Sequence, residues 1–423
     1  MNNGMGSPVF YYHHPLAFYI GSLLEFAAGT DPNGIYRLLA LNFIFRIASA
    51  FTFYRWVRSE GFNERSCFYG SLIYAFFPYR IFIDYYQVNI SQNCLLALAP
   101  LFLMSIRQGK IIKTAFLTAL MLLSHFLLSG LFLGLGFAYA IYNKTSYKKL
   151  FISLTLGAGL AAFYWLPAYS ETSIINNAYY TSEFFSYKNN YTHPASYLLF
   201  VLAPIAIIAA FKLPMQKFWV FVSITIFIAM TPLLKFLWQN VTYLEYLQFP
   251  YRLGILLAVC LCYLCCALLE KGKLTFPAPF LIASFALYGF YMQLYYSNNS
   301  YLQTAYECRK YKINSANEYK TKWQSTDLIS PANINRDHQS FENDITTINQ
   351  IYFPSFAAKD PLGKDAPLFP SKDGLISYKG KDAIIYRKPL ESEKIGALIS
   401  FTALILLVLL GISPYMRRNY ENK

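Results

Sequence analysis

Charged residues are scarce in this chain, because Asp, Glu, Lys and Arg together make up 14% of its 423 residues. An ordinary soluble domain carries about 25%. Apolar residues reach 56% of the chain and fall in long runs separated by short basic loops. This pattern excludes an ordinary soluble domain and is typical of an all-α polytopic membrane protein.

Acidic residues are scarcer than basic ones, at 22 against 36, which leaves a formal net charge of +14. In a soluble protein such a charge would suggest a nucleic-acid partner. Here much of it lies in loops between apolar runs, where Lys and Arg stay on the cytoplasmic side and meet anionic lipid. We therefore predict membrane lipids as partners and exclude nucleic acid.

Cysteine and histidine are also few, at seven and five residues. Four of the cysteines, Cys260, Cys262, Cys265 and Cys266, fall in one apolar run. A single helix cannot wrap a metal with residues on opposite faces, so we interpret them as packing residues. The cysteines do not form a disulfide framework. The spacing of the potential metal-ligating residues does not identify a metal or another cofactor.

Apolar windows of about 20 residues, the length that crosses the hydrocarbon core, mark the predicted spans. The run 111–142 is too long for one helix, so we predict two short helices that meet near 124–130. The split also keeps the basic loop 107–113 on the cytoplasmic side. About eleven spans result: 33–55, 66–83, 89–106, the two helices of 111–142, 149–168, 195–211, 217–238, 251–269, 275–295 and 394–414.

The basic C-terminal end sets the orientation, because it is expected to stay inside. The largest polar stretch, 296–393, then lies outside. Its runs 376–378 and 383–386 are typical of strands, and 379–382 between them predicts a hairpin turn. We predict a transmembrane helical domain over 1–295, a β-rich extracytoplasmic domain over 296–393, and a last helix with a cytoplasmic tail over 394–423. An extended loop is the alternative for 296–393.

Short motifs recur near the predicted outer ends of the helices. They are GSPVFYYHHPLAFY at 6–19, PYRIFIDYY at 78–86, LSH at 123–125, WLPA at 165–168 followed by Glu171, and LQFPYR at 247–252. In the tail, YFP at 352–354, DGLI at 373–376 and Pro389 fit the same pattern. Together they resemble the bacterial 6-pyruvoyl-tetrahydropterin synthase-related membrane proteins of the glycosyltransferase C (GT-C) superfamily, a name that implies no pterin chemistry. LQFPYR is the most specific of the motifs.

The resemblance implies a GT-C-like helical fold in the bacterial inner membrane. It also implies transfer of a sugar from a polyprenyl-phosphate donor to an acceptor glycan, lipid or protein at the outer face. Two departures matter. Gln92 stands where the resemblance leads us to expect a glutamate. The first helix, and the following acidic loop that carries the base usually assigned in the superfamily, precede the point where this sequence starts. We therefore expect the chain as written to be a truncated or inactive transferase. Residues 1–15 also lack the pattern of a cleavable signal peptide.

Such a transferase needs a carboxylate that takes a proton from the acceptor hydroxyl. It also needs cations that stabilise the lipid phosphate. Asp84 and Glu171 are the candidate catalytic residues. The candidate substrate-binding residues are His13, His14, Arg80, His125, Gln248 and Arg252.

Each candidate has a structural alternative. Arg80 and Arg252 lie at helix ends, where arginine often reaches to lipid headgroups. His13 and His14 fit an interfacial pair, and His125 at a helix break can satisfy freed backbone groups. Asp84 follows Arg80 by four residues, so the two pair if the helix continues.

Arg46 is unusual because it lies inside a predicted span, on the same helix face as Asn42. Charge within the membrane marks either a functional site or a bond to a neighbouring helix. For the whole chain, a transporter or lipid flippase and a non-catalytic membrane scaffold remain the alternatives. Transporters usually show internal repeats or broken helices, and no convincing repeat is visible here.

Overall fold

A computed structural model of the chain describes residues 9–24, 35–87, 89–175, 187, 202–272, 289, 322–323, 339–342 and 344–421. The chain divides into two compact units. The larger unit comprises His14–Ala161, Glu183–Tyr296 and Phe401–Lys423. The smaller unit comprises Met1–His13, Ala162–Ser182 and Ser297–Ser400, and it contains every sheet that the described residues form.

Most of the described residues are helical. In chain order the α-helices are α1 (Val9–Tyr12), α2 (Leu16–Leu23), α3 (Ile35–Ser59), α4 (Glu64–Ala75), α5 (Pro78–Phe82), α6 (Ile90–Arg107), α7 (Ile111–Ser124), α8 (Phe126–Tyr142), α9 (Tyr147–Leu160), α10 (Ala162–Ser170), α11 (Ala203–Lys212), α12 (Lys217–Ala229), α13 (Lys235–Asn240), α14 (Thr242–Leu247), α15 (Gly254–Glu270) and α16 (Glu391–Glu421). A short π-helix, Ile83–Gln87, follows α5. A 3-10 turn, Pro250–Leu253, precedes α15.

Four helical segments are long and apolar enough to cross a membrane: Tyr36–Ser59, Ile90–Arg107, Pro250–Glu270 and Glu391–Ile412. Two bent pairs of shorter helices, α9 with α10 and α11 with α12, raise the number to six if each pair is one span. Among the described residues there are therefore four to six candidate membrane-spanning helices, and the predicted number of about eleven is not confirmed. Of the predicted span 275–295, only residue 289 is described.

The predicted break in the apolar run 111–142 is confirmed. α7 ends at Ser124, α8 begins at Phe126, and His125 between them has an extended backbone with φ −162°. The two helices have 14 and 17 residues. Each is therefore shorter than the ~20 residues that a full crossing needs.

Three other predicted spans are more broken than expected. The span 66–83 ends as α4 at Ala75, and Pro78 begins α5. Between the predicted spans 195–211 and 217–238, the chain bends by 118° from α11 to α12 at a break that contains Pro214. α12 ends at Ala229, after which Pro232 begins a 3-10 turn. Proline interrupts a helix because it has no N–H and its ring clashes with the preceding turn. The span 149–168 is also divided, at Ala161.

The core of the larger unit lies around α6 and α15, whose side chains are buried over almost their whole length. The cysteines Cys260, Cys262, Cys265 and Cys266 are free thiols within α15, and all four are buried. Their burial in a tightly packed helix agrees with the interpretation as packing residues.

Close packing of α9 on α7 depends on Gly157. A Cβ added there would lie 2.5 Å from the main-chain oxygen of Ala115 and 2.5 Å from Thr118 Cβ. Neither atom can yield by a side-chain rotation, so the two helices must separate. We expect Gly157→Ala to lower the free energy of unfolding by about 1–3 kcal/mol, measured by unfolding the purified protein in detergent.

Gly134 provides the matched control, because it is also a helical glycine but a Cβ there meets nothing within 4 Å. Gly134→Ala should be neutral or slightly stabilising, since alanine favours the helix. Equal losses for the two variants would show that helix separation is not the cause.

The predicted β-rich region is present as two antiparallel sheets in the smaller unit. The strands are β1 (Gln339–Glu342), β2 (Ile345–Ile351), β3 (Phe356–Lys359), β4 (Asp365–Ala366), β5 (Leu368–Pro370), β6 (Leu375–Lys379) and β7 (Ile384–Arg387). One sheet has the order β1-β2-β6-β5 and the other β4-β3-β7. Ile351, Leu375 and Ile376 are buried in the four-stranded sheet.

The predicted hairpin between the last two strands is wrong, although both strands exist. β6 pairs with β2 and β5, whereas β7 pairs with β3 in the other sheet. The segment after β6 turns towards the β1–β2 connection, because the Gly380 N–H donates to the Asp344 carbonyl at 2.9 Å. The chain then continues into the second sheet instead of reversing along β6.

Candidate functional site

The polar residues of the larger unit gather where the chain reverses between α5 and α6. Pro78 occupies the start of α5, and the π-helix Ile83–Gln87 follows directly. Asn89 then caps α6 by accepting a hydrogen bond from the Gln92 N–H at 3.1 Å. π-Helical turns of this kind are frequent at functional sites. This reversal presents one set of polar side chains to α3 and another to the turn that precedes α15.

Towards α3, four residues form a connected group that we name the Asp84 cluster: Asn42, Arg46, Asp84 and Asn93. Arg46 forms an ion pair with one carboxylate oxygen of Asp84, and the Asn93 amide donates to the other. The same amide also donates to Asn42 Oδ1 at 3.0 Å. The Asp84 side chain is 7% exposed and that of Arg46 is 19% exposed. Both oxygens of the predicted catalytic carboxylate are therefore engaged.

Arg80 lies beside this cluster and is 1% exposed. Its guanidinium donates to Ser49 Oγ, to the Phe45 carbonyl at 3.2 Å and to the Asn93 carbonyl at 3.5 Å. The expected i, i+4 pair between Arg80 and Asp84 does not form, because the chain leaves α-helical geometry at Ile83. Arg80 is buried among neutral groups and so does not extend to headgroups from a helix end.

Towards α15, a second chain of hydrogen bonds connects the reversal to the LQFPYR motif. Tyr79 donates to Gln92 Oε1 at 2.9 Å, and the Gln92 amide donates to Gln87 Oε1 at 3.0 Å. The Gln87 amide donates in turn to the Tyr251 hydroxyl at 3.1 Å. Gln92, which stands where a glutamate was expected, thus works as both donor and acceptor, which a carboxylate cannot do.

Gln248 and Arg252 form a compact loop within that motif. Arg252 Nη1 donates to the Leu247 carbonyl at 3.0 Å and to Gln248 Oε1 at 3.1 Å, and its guanidinium lies 4.9 Å from the centre of the Phe249 ring. Gln248 is buried and has φ +64°, a left-handed conformation that is uncommon outside glycine. Backbone strain of this kind collects at functional sites. The loop thus holds both predicted substrate-binding residues in fixed positions.

The two predicted histidines of the larger unit meet at the helix break. The rings of His14 and His125 lie 4.2 Å apart, centre to centre. His14 Nδ1 accepts from the Phe126 N–H, and His125 Nδ1 accepts from the Leu128 N–H, both at 3.3 Å. These N–H groups belong to the first turn of α8, which has no intrahelical acceptors for them. The contacts match the alternative in which His125 satisfies freed backbone groups.

The remaining two candidates, His13 and Glu171, belong to the smaller unit. Glu171 accepts a hydrogen bond from Ser392 Oγ at 2.9 Å, and its carbonyl accepts one from the Tyr12 hydroxyl at 2.7 Å. Burial lowers the pKa of His13, which favours the neutral imidazole. A neutral imidazole offers a phosphate a hydrogen bond but no positive charge.

Sequence reasoning did not identify Ser49, Gln87 and Asn93 as site residues. An available signal was the amide pair Gln92-Asn93 within the first turns of an apolar helix, where polar side chains need partners. The interpretation of Arg46 included a bond to a neighbouring helix, and the ion pair with Asp84 is such a bond.

The family to which the chain belongs follows from comparison with known proteins. The family model for the 6-pyruvoyl-tetrahydropterin synthase related domain, a membrane protein, matches residues 10–236. The match covers more than half of the chain and includes the Asp84 cluster, His125 and Glu171, but neither the LQFPYR motif nor the sheets. No curated protein and no solved structure matches significantly. The chain is therefore a member of the 6-pyruvoyl-tetrahydropterin synthase-related family of membrane proteins.

Proposed function

We propose that this protein is a glycosyltransferase of the bacterial inner membrane that uses a polyprenyl-phosphate sugar at the outer face. Asp84 serves as the base in place of the acidic loop that the resemblance leads us to expect, so this proposal replaces the expectation of an inactive chain. In this proposal its helices follow a GT-C-like arrangement, and 296–393 is extracytoplasmic. The observation that carries the proposal is the Asp84 cluster, in which the carboxylate is paired with Arg46, while the buried Arg80 contacts the cluster through the Asn93 carbonyl. An acid and two guanidiniums in one region provide the base and the cations that this transfer requires.

In the proposed reaction Asp84 takes the proton from the acceptor hydroxyl. The acceptor oxygen forms a bond to the anomeric carbon of the sugar, while the bond from that carbon to the phosphate oxygen breaks. The electron pair leaves with the lipid phosphate, whose charge Arg46, Arg80 and Arg252 stabilise. Attack opposite to the leaving group inverts the anomeric configuration. In this proposal His13, His14, His125 and Gln248 contact the substrate, and Glu171 is the alternative candidate for the base.

A transporter or lipid flippase is the second candidate, and the broken helices favour it. The 118° bend between α11 and α12 is of the kind that transporters use at binding sites. A transporter moves a lipid-linked sugar across the bilayer without breaking the sugar–phosphate bond. A scaffold does neither, so product analysis separates the three classes.

The test is an assay of the purified full chain in lipid vesicles that contain polyprenyl-phosphate sugars and candidate acceptors. Mass spectrometry should detect free polyprenyl phosphate together with a glycosylated acceptor. We expect Asp84→Asn to slow the transfer by about 10²-fold, because the general base is lost. Glu64→Gln, at a carboxylate whose side chain is 79% exposed, is the control and should transfer at the wild-type rate.

Two outcomes would contradict the proposal. One is movement of the lipid-linked sugar between leaflets with no release of polyprenyl phosphate, which would establish the transporter. The other is transfer at the wild-type rate by Asp84→Asn, which would make Glu171 the remaining candidate base.

A further inference from the structure

The surroundings of the Asp84 carboxylate are those of a bound oxyanion. A guanidinium holds one oxygen and a side-chain amide holds the other. Charge-assisted hydrogen bonds from such donors are the means by which proteins bind phosphate and carboxylate groups. Asn93 is itself positioned by Asn42, to which it donates at 3.0 Å. The donors therefore form a site whose present occupant is a side chain of the protein.

Arg80, next to that site, has no acidic partner among the described residues. Arg80 donates only to neutral groups, and its Nε is buried with no hydrogen-bond partner among the described residues. An uncompensated positive charge inside an apolar helical body is costly. The cluster therefore attracts a further anion.

Exposure indicates which residue an incoming anion meets. The side chain of Arg46 is 19% exposed and that of Asp84 is 7% exposed, whereas Arg80 is 1% exposed. Arg46 is thus the accessible guanidinium, and Asp84 already occupies it. Asp84 also lies on the π-helix Ile83–Gln87, an element that is rare in proteins and often found at functional sites.

We propose that Asp84 occupies the oxyanion site of this protein and competes with a phosphate group for Arg46 and Asn93. When the phosphate binds, it accepts the hydrogen bonds of Arg46 and Asn93 in place of Asp84, and the released carboxylate can accept a proton. Binding of the polyprenyl-phosphate sugar would thereby free the general base. The inference deepens the proposed function and rests on it for the identity of the anion, which is a lipid phosphate or free phosphate.

The test measures binding to the purified full chain in detergent with three probes: farnesyl phosphate, farnesol and inorganic phosphate. Asp84→Asn should bind farnesyl phosphate at least ten-fold more tightly than wild type, because the competing carboxylate is gone. Arg46→Met and Asn93→Leu should each bind it at least ten-fold more weakly. Farnesol should bind all four proteins alike. If the affinities of the four proteins for inorganic phosphate follow the same order, free phosphate is a sufficient ligand. If only the affinities for farnesyl phosphate change, the ligand is the lipid phosphate.

The matched control is Glu60→Gln, at another nearly buried carboxylate of the larger unit. Glu60 is paired with Arg107, accepts from the Tyr139 hydroxyl at 2.7 Å, and has a side chain that is 4% exposed. Glu60→Gln should disturb folding about as much as Asp84→Asn does, and it should leave the binding of farnesyl phosphate unchanged. Arg46→Met and Asn93→Leu keep the inference testable if Asp84→Asn does not fold.

Unchanged or weaker binding of farnesyl phosphate by Asp84→Asn would overturn the inference, as would unchanged binding by Arg46→Met. If the wild type still transfers sugar in the vesicle assay, the proposed function survives that result. If no variant binds farnesyl phosphate, both the inference and the lipid-phosphate donor fail.

Discussion

Asp84→Asn is expected to lower the free energy of unfolding by about 3–5 kcal/mol, the usual cost of removing one partner from a buried ion pair. The loss removes the carboxylate that pairs with Arg46. Arg46→Met should cost less, because the Asn93 amide still donates to the Asp84 carboxylate. The double variant should recover at least half of the loss of Asp84→Asn, since it no longer leaves the Arg46 guanidinium without that carboxylate. Denaturant unfolding of the purified protein in detergent measures all three.

The Arg58–Glu64 pair is the control for this series. Its charged atoms lie 3.8 Å apart, and the side chains are 49% and 79% exposed. Solvent screens such a pair, so its removal should change the free energy of unfolding by about 0–1 kcal/mol. Strictly additive losses in the Arg46 and Asp84 variants would show that the two side chains do not stabilise each other.

One helix break was predictable from the sequence, whereas three others were not. The break at His125 followed from length, since 111–142 exceeds one crossing, and from the basic loop at 107–113. Pro232 lies inside the predicted span 217–238, so the end of α12 at Ala229 was missed. The size of the bend between α11 and α12 depends on tertiary packing, which hydropathy does not report. The number of spans was therefore harder to predict than their positions.

The strands were predictable, but their partners were not. Apolar and β-branched runs located β6 and β7. Pairing depends on contacts between residues far apart in sequence, such as those of β6 with β2. A four-residue connection between two strands favours a hairpin on local grounds, and in this chain the bond from Gly380 to Asp344 redirects it.

The site was predicted as a set of residues and not as a set of contacts. Arg46, on the same helix face as Asn42, left open either a functional site or a bond to a neighbouring helix, and Arg46 forms such a bond with Asp84. That Asp84 accepts from Arg46 could not be predicted, because Arg80 stands four residues before Asp84 and was the expected partner of this carboxylate. A single π-helical turn changes that spacing, and no periodicity in the sequence indicates where such a turn occurs.

The largest packing effect is expected from Trp219→Ala, which should lower the free energy of unfolding by about 3–5 kcal/mol. Trp219 is 1% exposed. It joins four helices of the larger unit, because its ring lies 5.5 Å from that of Trp56, 5.3 Å from that of Tyr139 and 4.7 Å from that of Tyr263. Alanine would leave a cavity that these rings cannot fill without moving their helices.

Phe221 lies on the same helix and provides the comparison, since it is 70% exposed. Lipid or detergent chains are as apolar as the phenyl ring, so Phe221→Ala loses little when they take its place. Both variants are unfolded chemically in the same detergent. The free energy of unfolding of Trp219→Ala should lie well below that of wild type, and that of Phe221→Ala within about 1 kcal/mol of it. Similar losses would mean that the detergent, and not the aromatic contacts of Trp219, determines the stability of the helical unit.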